Sequence, residues 1–405
     1  MNVLYCESGH QTDVQKGDNM VEGLELRKFV APEFIFGVGA RRQAGRYARN
    51  LGARKLLVVT DPGVIAAGWT KDVTDSIEQA GLPYTIFSGV SPNPRAEEVM
   101  TGAEIYREQR CNAILAVGGG SPMDCAKGIG IVSSNQRHIL TFEGVDQVEM
   151  PMPPLICIPT TGGTSADVSQ FAIINDTAER TKIAIVSKAV LPDLALIDPL
   201  TLTTTGPYLT ACTGMDALTH AIEAFVSNAH SPMTDLHALQ AIRQISAHLV
   251  DSVNQPDNLE LRSQIMQGSL LAGLAFSNAI LGANHAMAHS LGGYLDLAHG
   301  ECNAILLDHV IEFNLRATPE RFEQIAAAMG LDQRGLTSRE KQRELLAAIR
   351  TLKSRVGVDR HLKKLGVSRS DLASLSRNAL KDPCMVTNPR QPDQRDVEVI
   401  FEEAL

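Results

Sequence analysis

The first half of this 405-residue chain alternates short apolar segments with helical stretches, and this alternation constrains the fold more than any other feature. Four candidate strands share an apolar character and lie at residues 55–60, 84–87, 113–117 and 155–158. The helical stretches between them lie at residues 64–81, at residues 95–110 and, after a GGGS turn, up to residue 131. Such alternation is typical of βαβ crossovers, in which helices cover both faces of a parallel sheet. The sequence therefore predicts an α/β, Rossmann-like domain.

The rest of the chain differs in character on either side of residue 204. Before it, residues 26–36 favour extended structure, residues 171–175 and 181–187 read as a hairpin, and residues 194–197 form a last strand. After it, helical periodicity continues with almost no strand signal. Because 405 residues exceed the size of one ordinary core, we expect two domains. The predicted division is a flexible leader at 1–22, a cofactor-binding α/β domain at 23–204 and an all-helical metal-binding domain at 205–405.

Composition and charge exclude several classes of partner and location. The hydrophobic share of 44% and the charged share of 20% are ordinary for a globular protein. A net charge of −9 argues against nucleic acid or an anionic membrane as a partner. Seven scattered cysteines without a CxxC pair indicate free thiols in a reducing compartment. Without a signal-like N-terminus or an apolar run of spanning length, the chain is predicted to be cytoplasmic.

A histidine-rich segment at residues 282–300 is the first functional signal. It holds three of the eleven histidines, His285, His289 and His299, among glycines, alanines and other apolar residues. Upstream, Asp216 and His220 are four apart on a helical pattern, so they share one helix face, as His285 and His289 do. Helix pairs that each offer such side chains on one face build metal sites. The sequence predicts a buried metal held by Asp216, His220 and two of the three later histidines.

Two other interpretations of these residues are possible. A single histidine on an apolar helix is more often a hydrogen-bonded core residue than a ligand, but four such side chains together favour a metal. The HxxxH spacing also resembles a zinc protease helix, which requires a glutamate directly after the first histidine. Ala286 occupies that position here. One carboxylate and three imidazoles suit Fe(II) or Zn(II).

A glycine-rich turn at Gly118, Gly119, Gly120 and Ser121 lies between a predicted strand and a predicted helix. Glycines there let the backbone approach a pyrophosphate, whose charge the free N–H groups of the helix start would stabilise. The alternative is that three glycines simply make a tight turn.

Asp61 follows the first strand of the alternating unit. A carboxylate at the carboxyl end of a strand can bind both ribose hydroxyls of an adenosine and would repel a 2′-phosphate, which favours NAD over NADP. The alternative is that Asp61 caps the next helix. In the usual Rossmann fingerprint the acidic residue follows the glycines, whereas Asp61 precedes them.

Several ordered motifs resemble those of the iron-containing (group III) alcohol dehydrogenases. They run from about residue 29 to the C-terminus and comprise FGVGA (36–40), VTD (59–61), SPNP (91–94), GGGSPMDCAK (118–127), PTTGGT (159–164), TGMDALTHAIEAF (213–225), the histidine segment and DPCMVTNPR (382–390). This family combines an N-terminal dinucleotide-binding α/β domain with an all-helical C-terminal domain, a dehydroquinate synthase-like fold. The metal and the cofactor lie in the cleft between them.

The resemblance also implies site residues. The metal ligands would be Asp216, His220, His285 and His299. His289 would then lie beside the metal, near the nicotinamide, where it relays the alcohol proton or positions the ring. The implied NAD contacts come from glycines and polar side chains: Asp61, Asn93, Gly118, Gly119, Gly120, Ser121, Asp124, Thr160, Thr161, Thr164, Ser169 and Lys182.

The sequence departs from the family pattern near the implied cleft. Ser165, Ala166 and Asp167 stand where relatives carry small residues followed by glutamate, and Ser169 stands where threonine is frequent. Asn284 precedes the first ligand histidine of the segment, where relatives tend to have a small apolar residue. These departures affect the inference of substrate more than that of fold.

The resulting expectation is an NAD-dependent, metal-dependent alcohol dehydrogenase or aldehyde reductase. It would act on small primary alcohols or diols with Fe²⁺, or alternatively Zn²⁺, and form a homodimer or higher homo-oligomer. One alternative is a dehydrogenase-like regulator of alcohol metabolism with little turnover. Another is a fold relative such as glycerol dehydrogenase or dehydroquinate synthase.

Overall fold

The protein is described by a computed structural model that covers residues 28–405, so the predicted leader at 1–22 lies outside the described residues. The strands are β1 (Glu33–Phe36), β2 (Leu56–Val59), β3 (Tyr84–Phe87), β4 (Ala113–Gly118), β5 (Gly144–Val145), β6 (Leu155–Pro159), β7 (Phe171–Asp176), β8 (Thr181–Val186) and β9 (Leu194–Ile197). The helices of the first half are α1 (Ala44–Asn50), α2 (Pro62–Ala66), α3 (Trp69–Gln79), α4 (Ala96–Glu108) and α5 (Gly120–Asn135).

The main sheet has six strands in the order β1-β9-β6-β4-β2-β3, and every neighbouring pair is parallel. All four residues of β2, LLVV, and all six of β4, AILAVG, are buried. Strands that are apolar along their whole length belong inside a parallel sheet that is covered on both faces. The predicted Rossmann-like sheet is confirmed.

A second sheet of three strands, in the order β5-β8-β7, lies beside the first. Its β7 and β8 form the antiparallel hairpin that the sequence predicts, in register from Phe171 opposite Val186 to Asp176 opposite Thr181. The hairpin places Lys182, near the start of β8, on the wall of a pocket that His285, His289 and His299 also line.

The helix predicted at residues 64–81 is wrong as a single element, because the chain forms two helices there. Helix α2 ends at Ala66 and α3 begins at Trp69. Between them Gly68 has φ of 86°, a left-handed conformation that interrupts the helical hydrogen bonding. The apolar periodicity continues across this glycine, so the pattern alone joins the two helices.

After β9 all the named secondary-structure elements are helices. The helices are α6 (Pro207–Val226), α7 (Pro232–Asn254), α8 (Leu259–Ala279), α9 (Ala283–Leu295), α10 (His299–Asn314), α11 (Pro319–Ala328), α12 (Ser338–Val356), α13 (Leu372–Ala379) and α14 (Gln394–Ala404). They surround one large apolar core. The exact division into folding units at residue 204 stays a prediction.

The helical half contains the most apolar segments of the chain. Within residues 28–405 no single helix combines the length and the apolar character needed to cross a membrane. Among these residues only the pair α8 and α9, taken together, has both the length and the apolar character, and a bend of 100° separates the two helices.

The order of the parallel strands creates a crevice at their carboxyl ends. The chain passes from β2 outward to β3 and then returns to β4 on the other side of β2. At such a switch point the two following loops diverge and leave a crevice, where open α/β sheets bind ligands. Asp61 follows β2 and the GGGS turn begins at the end of β4, so both lie at this crevice.

Helix α9 packs directly on β8, and this contact joins the helical half to the hairpin. A Cβ atom on Gly293 would lie 2.7 Å from the backbone nitrogen of Lys182 and 2.8 Å from Cα of Thr181. Both are backbone atoms, so relief requires α9 or β8 to move. Only glycine fits at this position.

We expect Gly293→Ala to lower the free energy of unfolding by about 1–3 kcal/mol, because overpacking forces the backbone apart. Chemical denaturation measures the change. Gly89→Ala is the matched control, since Gly89 is exposed outside helices and strands and a Cβ on it would come no closer than 3.5 Å, to the Phe87 ring. Equal stability of the two variants would contradict the proposed contact.

Candidate metal and cofactor site

Helix α6 carries three buried polar side chains on one face. Asp216, His220 and Glu223 are spaced by four and three residues, which places them one above another along a helix. Their exposed fractions are 1%, 3% and 3%. Buried charged groups require partners, and the two carboxylates, Asp216 and Glu223, find theirs on other helices.

Those partners come from α9 and from the start of α10. His285 and His289 lie on α9, and His299 is the first residue of α10. Between the two helices Asp296 adopts a left-handed conformation with φ of 55°, which ends α9 and turns the chain back. His299 thereby returns to the neighbourhood of His285, and their ring centroids are 5.4 Å apart.

Four of the predicted side chains converge on one point. Asp216, His220, His285 and His299 each offer one ligand atom, and these atoms lie within 4.8 Å of one another. Asp216 Oδ1 lies 3.6 Å from Nε2 of His285 and 3.6 Å from Nε2 of His299. Of the three later histidines, the structure thus groups His285 and His299 with Asp216 and His220. His289 belongs to a separate group with Asp382 and Cys384.

The chemistry of these four side chains fits a divalent transition metal. Across residues 28–405, the buried polar atoms without a hydrogen-bond partner include Nδ1 of His220 and Nδ1 of His299. An unpaired buried polar atom costs about 1–3 kcal/mol, so two in one cluster need an explanation. A cation bound to these imidazoles would compensate for the burial of the cluster. The donor set of oxygen and nitrogen suits Fe(II) or Zn(II).

The protonation states also favour a cation. Burial alone would raise the pKa of Asp216, but the surrounding histidines His220, His299 and His285 hold it well below its usual range. Burial lowers the pKa of His220 to about 3. The carboxylate is therefore ionised and the His220 ring is neutral at pH 7, and these are the forms that bind metal ions.

A large cleft runs along the carboxyl ends of the main sheet to this cluster. It has a volume of about 750 Å³. Asp216 and His299 line it at one end. The predicted cofactor residues along its walls are Asp61, Asn93, Gly119, Gly120, Ser121, Thr160, Thr161 and Thr164. These residues follow four different parallel strands, whose carboxyl ends meet at one edge, so the fold gathers them.

The remaining predicted cofactor residues lie elsewhere. Asp124, Ser169 and Lys182 line a smaller adjoining pocket of about 110 Å³. Gly118 lies at the end of β4, and its carbonyl accepts a hydrogen bond of 2.9 Å from the N–H of Thr160. Gly118 therefore supports the loop that contains Thr160.

The glycine-rich turn forms a cradle at the start of α5, whose N-terminus faces the cleft. A Cβ on Gly119 would lie 3.2 Å from the Thr161 side chain, and one on Gly120 would lie 2.9 Å from that of Thr164. The missing side chains leave the backbone N–H groups open at the start of a 16-residue helix. This arrangement suits a pyrophosphate.

Asp61 lies where it can act both as a helix cap and as a ligand of a ribose. Its Oδ1 accepts a hydrogen bond of 2.9 Å from the N–H of Val64, so it caps α2. It also lines the cleft, because α2 starts at the cleft wall. A contact with a ribose stays a prediction.

Polar bridges cross the cleft near the metal cluster. Lys182 Nζ donates to Oδ1 of Asn93 at 2.8 Å, and Asn93 Nδ2 donates to Oδ1 of Asp296 at 2.6 Å. Asp296 follows α9, so the bridge connects the α/β half to the loop that precedes His299. No local sequence pattern indicates a role for Asp296, because its partner Asn93 is 203 positions away.

The smaller pocket connects the cluster with apolar side chains. His220, His285, His289 and His299 line one part of it. Phe276 stacks on the ring of His220 at 4.3 Å between centroids, and Phe171 meets Phe276 edge-on at 5.7 Å. The pocket thus offers a small apolar space directly beside the candidate metal site.

Sequence reasoning missed three residues that support the site. Glu223 contacts His285. Asp382 Oδ2 lies 2.8 Å from Nδ1 of His289. Asn303 Nδ2 donates to Oδ1 of Asp216 at 2.6 Å. Only Glu223 carried a usable signal, because it lies seven positions after Asp216 on the same helix face.

Cys302 lies near the cluster as a fully buried free thiol. Burial raises its pKa to about 12, so the thiol stays protonated at pH 7. It therefore acts as a small hydrophobe.

Comparison with known proteins places this geometry among dehydrogenases. The family described as "Iron-containing alcohol dehydrogenase" matches residues 31–199, and "Fe-containing alcohol dehydrogenase family, C-terminal" matches residues 210–405. The chain is 40% identical over 372 residues to 1,3-propanediol dehydrogenase of Klebsiella pneumoniae, covering 91% of this chain and 96% of that protein. It is 35% identical over 377 residues to NAD-dependent methanol dehydrogenase of Bacillus methanolicus, covering 93% and 99%.

A solved structure of 1,3-propanediol oxidoreductase superimposes with a TM-score of 0.91 at 39% identity. The match covers 94% of this chain and 100% of the other. Sequence and structure comparisons therefore agree over both halves of the chain.

Proposed function

Because the chain belongs to the iron-containing alcohol dehydrogenase family, we propose that it interconverts small primary alcohols or diols and their aldehydes with NAD. One observation carries this proposal. The cluster of Asp216, His220, His285 and His299 lies where the large cleft and the small apolar pocket meet, and His299 lines both. A cofactor in the cleft and a substrate in the pocket would meet at the metal.

We propose that Asp216, His220, His285 and His299 hold Fe²⁺, with Zn²⁺ as the alternative. When bound, the cation supplies Lewis acidity toward the alcohol oxygen. The protein's own contribution is the orientation of the four side chains and the apolar surroundings formed by Phe171 and Phe276, which exclude water and strengthen electrostatic interactions.

The cleft residues fit the parts of NAD in order. Asp61 would accept hydrogen bonds from the adenosine ribose, and the start of α5 at Gly119 to Ser121 would hold the pyrophosphate. The nicotinamide end would then lie toward Lys182 and the histidines. The cofactor carries the hydride, while the chain fixes the distance and orientation between donor and acceptor.

His289 is the proposed proton relay. Its Nδ1 lies 2.8 Å from Oδ2 of Asp382, a buried carboxylate. Because an ionised carboxylate only accepts, Nδ1 carries the proton and the second ring nitrogen is left to take the alcohol proton. Burial alone would raise the pKa of Asp382, but His289 and, to a lesser degree, hydrogen bonds from Cys384 lower it below its usual value.

We expect His289→Ala to retain the metal and to lower kcat by roughly 10²-fold, the usual contribution of one acid–base group. Metal analysis and steady-state kinetics on the same preparation measure both. His289→Gln tests the relay more narrowly, since it restores volume and hydrogen bonding but cannot transfer a proton. Loss of the metal in His289→Ala would assign this side chain to the ligand set instead.

The pocket volume supports a small substrate. A space of about 110 Å³, whose lining includes Phe171, Ile173, Phe276 and Leu281, suits a short carbon chain more than a large molecule. The names of the relatives, 1,3-propanediol dehydrogenase and NAD-dependent methanol dehydrogenase, agree with this class. Assembly as a homodimer or higher homo-oligomer and a cytoplasmic location stay predictions.

The test is anaerobic purification with metal analysis, followed by NAD and NADP assays with a panel of alcohols. The proposal requires about one transition-metal ion per chain and NADH formation with short primary alcohols or diols. The regulatory alternative instead predicts NAD binding with negligible turnover across the panel. A metal-free protein without NAD-linked activity would refute the proposal.

A further inference from the structure

We propose that Glu223 is a positioning residue that orients the ligand His285 and holds the start of α9 with the same carboxylate. This inference rests on the proposed function, in which His285 binds the metal. Glu223 itself does not belong to the cluster of four ligand side chains.

The carboxylate of Glu223 makes two contacts with α9. Its Oε2 accepts a hydrogen bond from Nδ1 of His285. Its Oε1 accepts a hydrogen bond of 2.7 Å from the backbone N–H of Asn284. With an exposed fraction of 3%, Glu223 has almost no access to water that could replace either contact.

The contact with Asn284 completes the N-terminus of α9. Gly282 is the cap residue of this helix and makes no side-chain cap. The first N–H groups of a helix need acceptors from elsewhere. Asn388 Oδ1 accepts from Ala283 at 3.1 Å, and Glu223 accepts from Asn284. A negative charge also stabilises the positive end of a helix.

The contact with His285 determines how this ring faces the metal site. A carboxylate at Nδ1 fixes the proton on that nitrogen, so Nε2, which lies 3.1 Å from Nδ2 of Asn303, keeps its lone pair. Nε2 is the atom that lies 3.6 Å from Oδ1 of Asp216. Partners of this kind orient a metal-binding imidazole and make it a better ligand.

His285 is supported differently from the two other histidines of the cluster. In the part of the chain that the structure describes, Nδ1 of His220 and Nδ1 of His299 have no hydrogen-bond partner. His285 is therefore the histidine of the cluster whose orientation depends on a carboxylate. Since Glu223 lies on α6 with Asp216 and His220, one helix provides two ligands and also orients a third on α9.

The packing around the Glu223 carboxylate leaves no room for a side chain at position 282. A Cβ on Gly282 would lie 3.0 Å from Oε1 of Glu223 and 2.8 Å from Oδ1 of Asn388. Gly282 thus permits the two acceptors to reach the start of α9 together.

The test compares metal retention in Glu223→Gln and in the wild-type holoenzyme. The amide has nearly the same volume and keeps one acceptor oxygen, but it cannot hold the helix start and a protonated Nδ1 with two anionic oxygens. We expect the metal affinity of Glu223→Gln to be lower than that of the wild-type protein by about 10- to 100-fold. Competition for the metal with a chromogenic chelator measures this affinity. The Co(II)-substituted protein should also show an altered visible spectrum.

Asp308→Asn is the matched control. Asp308 is a similarly buried acid on α10, where Lys353 and Arg350 bind it at 2.5 Å and 2.7 Å. Its loss should decrease stability while metal affinity and the Co(II) spectrum stay at wild-type values. If Glu223→Gln does not fold, Glu223→Asp is the second test variant. It keeps the negative charge but has a shorter side chain, and it should lose the same amount of metal affinity.

Wild-type metal affinity in a folded Glu223 variant would overturn this inference while leaving the proposed function intact. Equal loss of metal in Asp308→Asn would also overturn it, because the effect would then be one of general stability. A wild-type protein that neither holds a metal nor turns over alcohols would instead defeat the proposed function and this inference with it.

Discussion

His299→Ala should lose its metal and retain less than about 10⁻³ of wild-type turnover, while the fold survives. A metal held by these residues would supply several kcal/mol of stabilisation to the reacting oxygen, and each 1.4 kcal/mol corresponds to about tenfold in rate. His299 is the least buried of the four side chains, at 25% exposed, and its Nδ1 has no partner within the described residues. Its removal therefore disturbs few other contacts. Metal analysis, kcat and thermal unfolding of one preparation measure the three quantities.

His285→Ala should have the same effect on metal and turnover but a larger effect on stability. Its removal leaves Oε2 of Glu223 buried without the histidine, and an unsatisfied buried group costs about 1–3 kcal/mol. His237→Ala is the control for both variants, because His237 lies on α7 outside the cluster and its Nδ1 contacts only the carbonyl of Met233 at 2.7 Å. Full metal occupancy in both His285→Ala and His299→Ala would remove these residues from the ligand set.

Asp61→Gly should raise the ratio of kcat/KM for NADP to that for NAD by roughly 10²-fold. Two unit charges about 4 Å apart interact by about 4 kcal/mol at the protein surface, and part of this repulsion acts on a 2′-phosphate. Glycine would also lose the two hydrogen bonds that we propose between Asp61 and the NAD ribose. As a cap of α2, glycine costs only a few tenths of a kcal/mol relative to aspartate, so stability should change little.

Asp61→Asn separates the charge from the cap. Asparagine keeps the acceptor for the N–H of Val64 but removes the negative charge. Its coenzyme preference should shift in the same direction as that of Asp61→Gly. An unchanged NADP/NAD ratio in both variants would leave Asp61 with the capping role alone.

The strands of the main sheet could be predicted because their signals are local. Residues 84–87 and 194–197 coincide with β3 and β9, since each is a short apolar run with breakers at its ends. The division between α2 and α3 could not be predicted, because it depends on the conformation of Gly68 and not on periodicity. Strand order was also beyond the sequence pattern, because it is set by contacts between distant segments.

The candidate site divides in the same way. The spacing of Asp216 and His220 and the density of histidines at 282–300 pointed to the cluster, because helix geometry places such residues together. Asp382 and Asn303 were not found, since their partners His289 and Asp216 lie 93 and 87 positions away. No local pattern encodes such a pairing. The choice between His289 and His299 as ligand came from family resemblance, and the structure groups His299 with the cluster.

Anomalous diffraction at the iron absorption edge, from crystals of anaerobically purified protein grown with NAD, tests the central claim most directly. We predict one strong peak per chain at roughly 2.0–2.3 Å from one atom each of Asp216, His220, His285 and His299. NAD density should lie in the cleft, with its nicotinamide beside that peak. Side chains directed to separate places, with no shared peak at this edge or at that of zinc, would contradict the account.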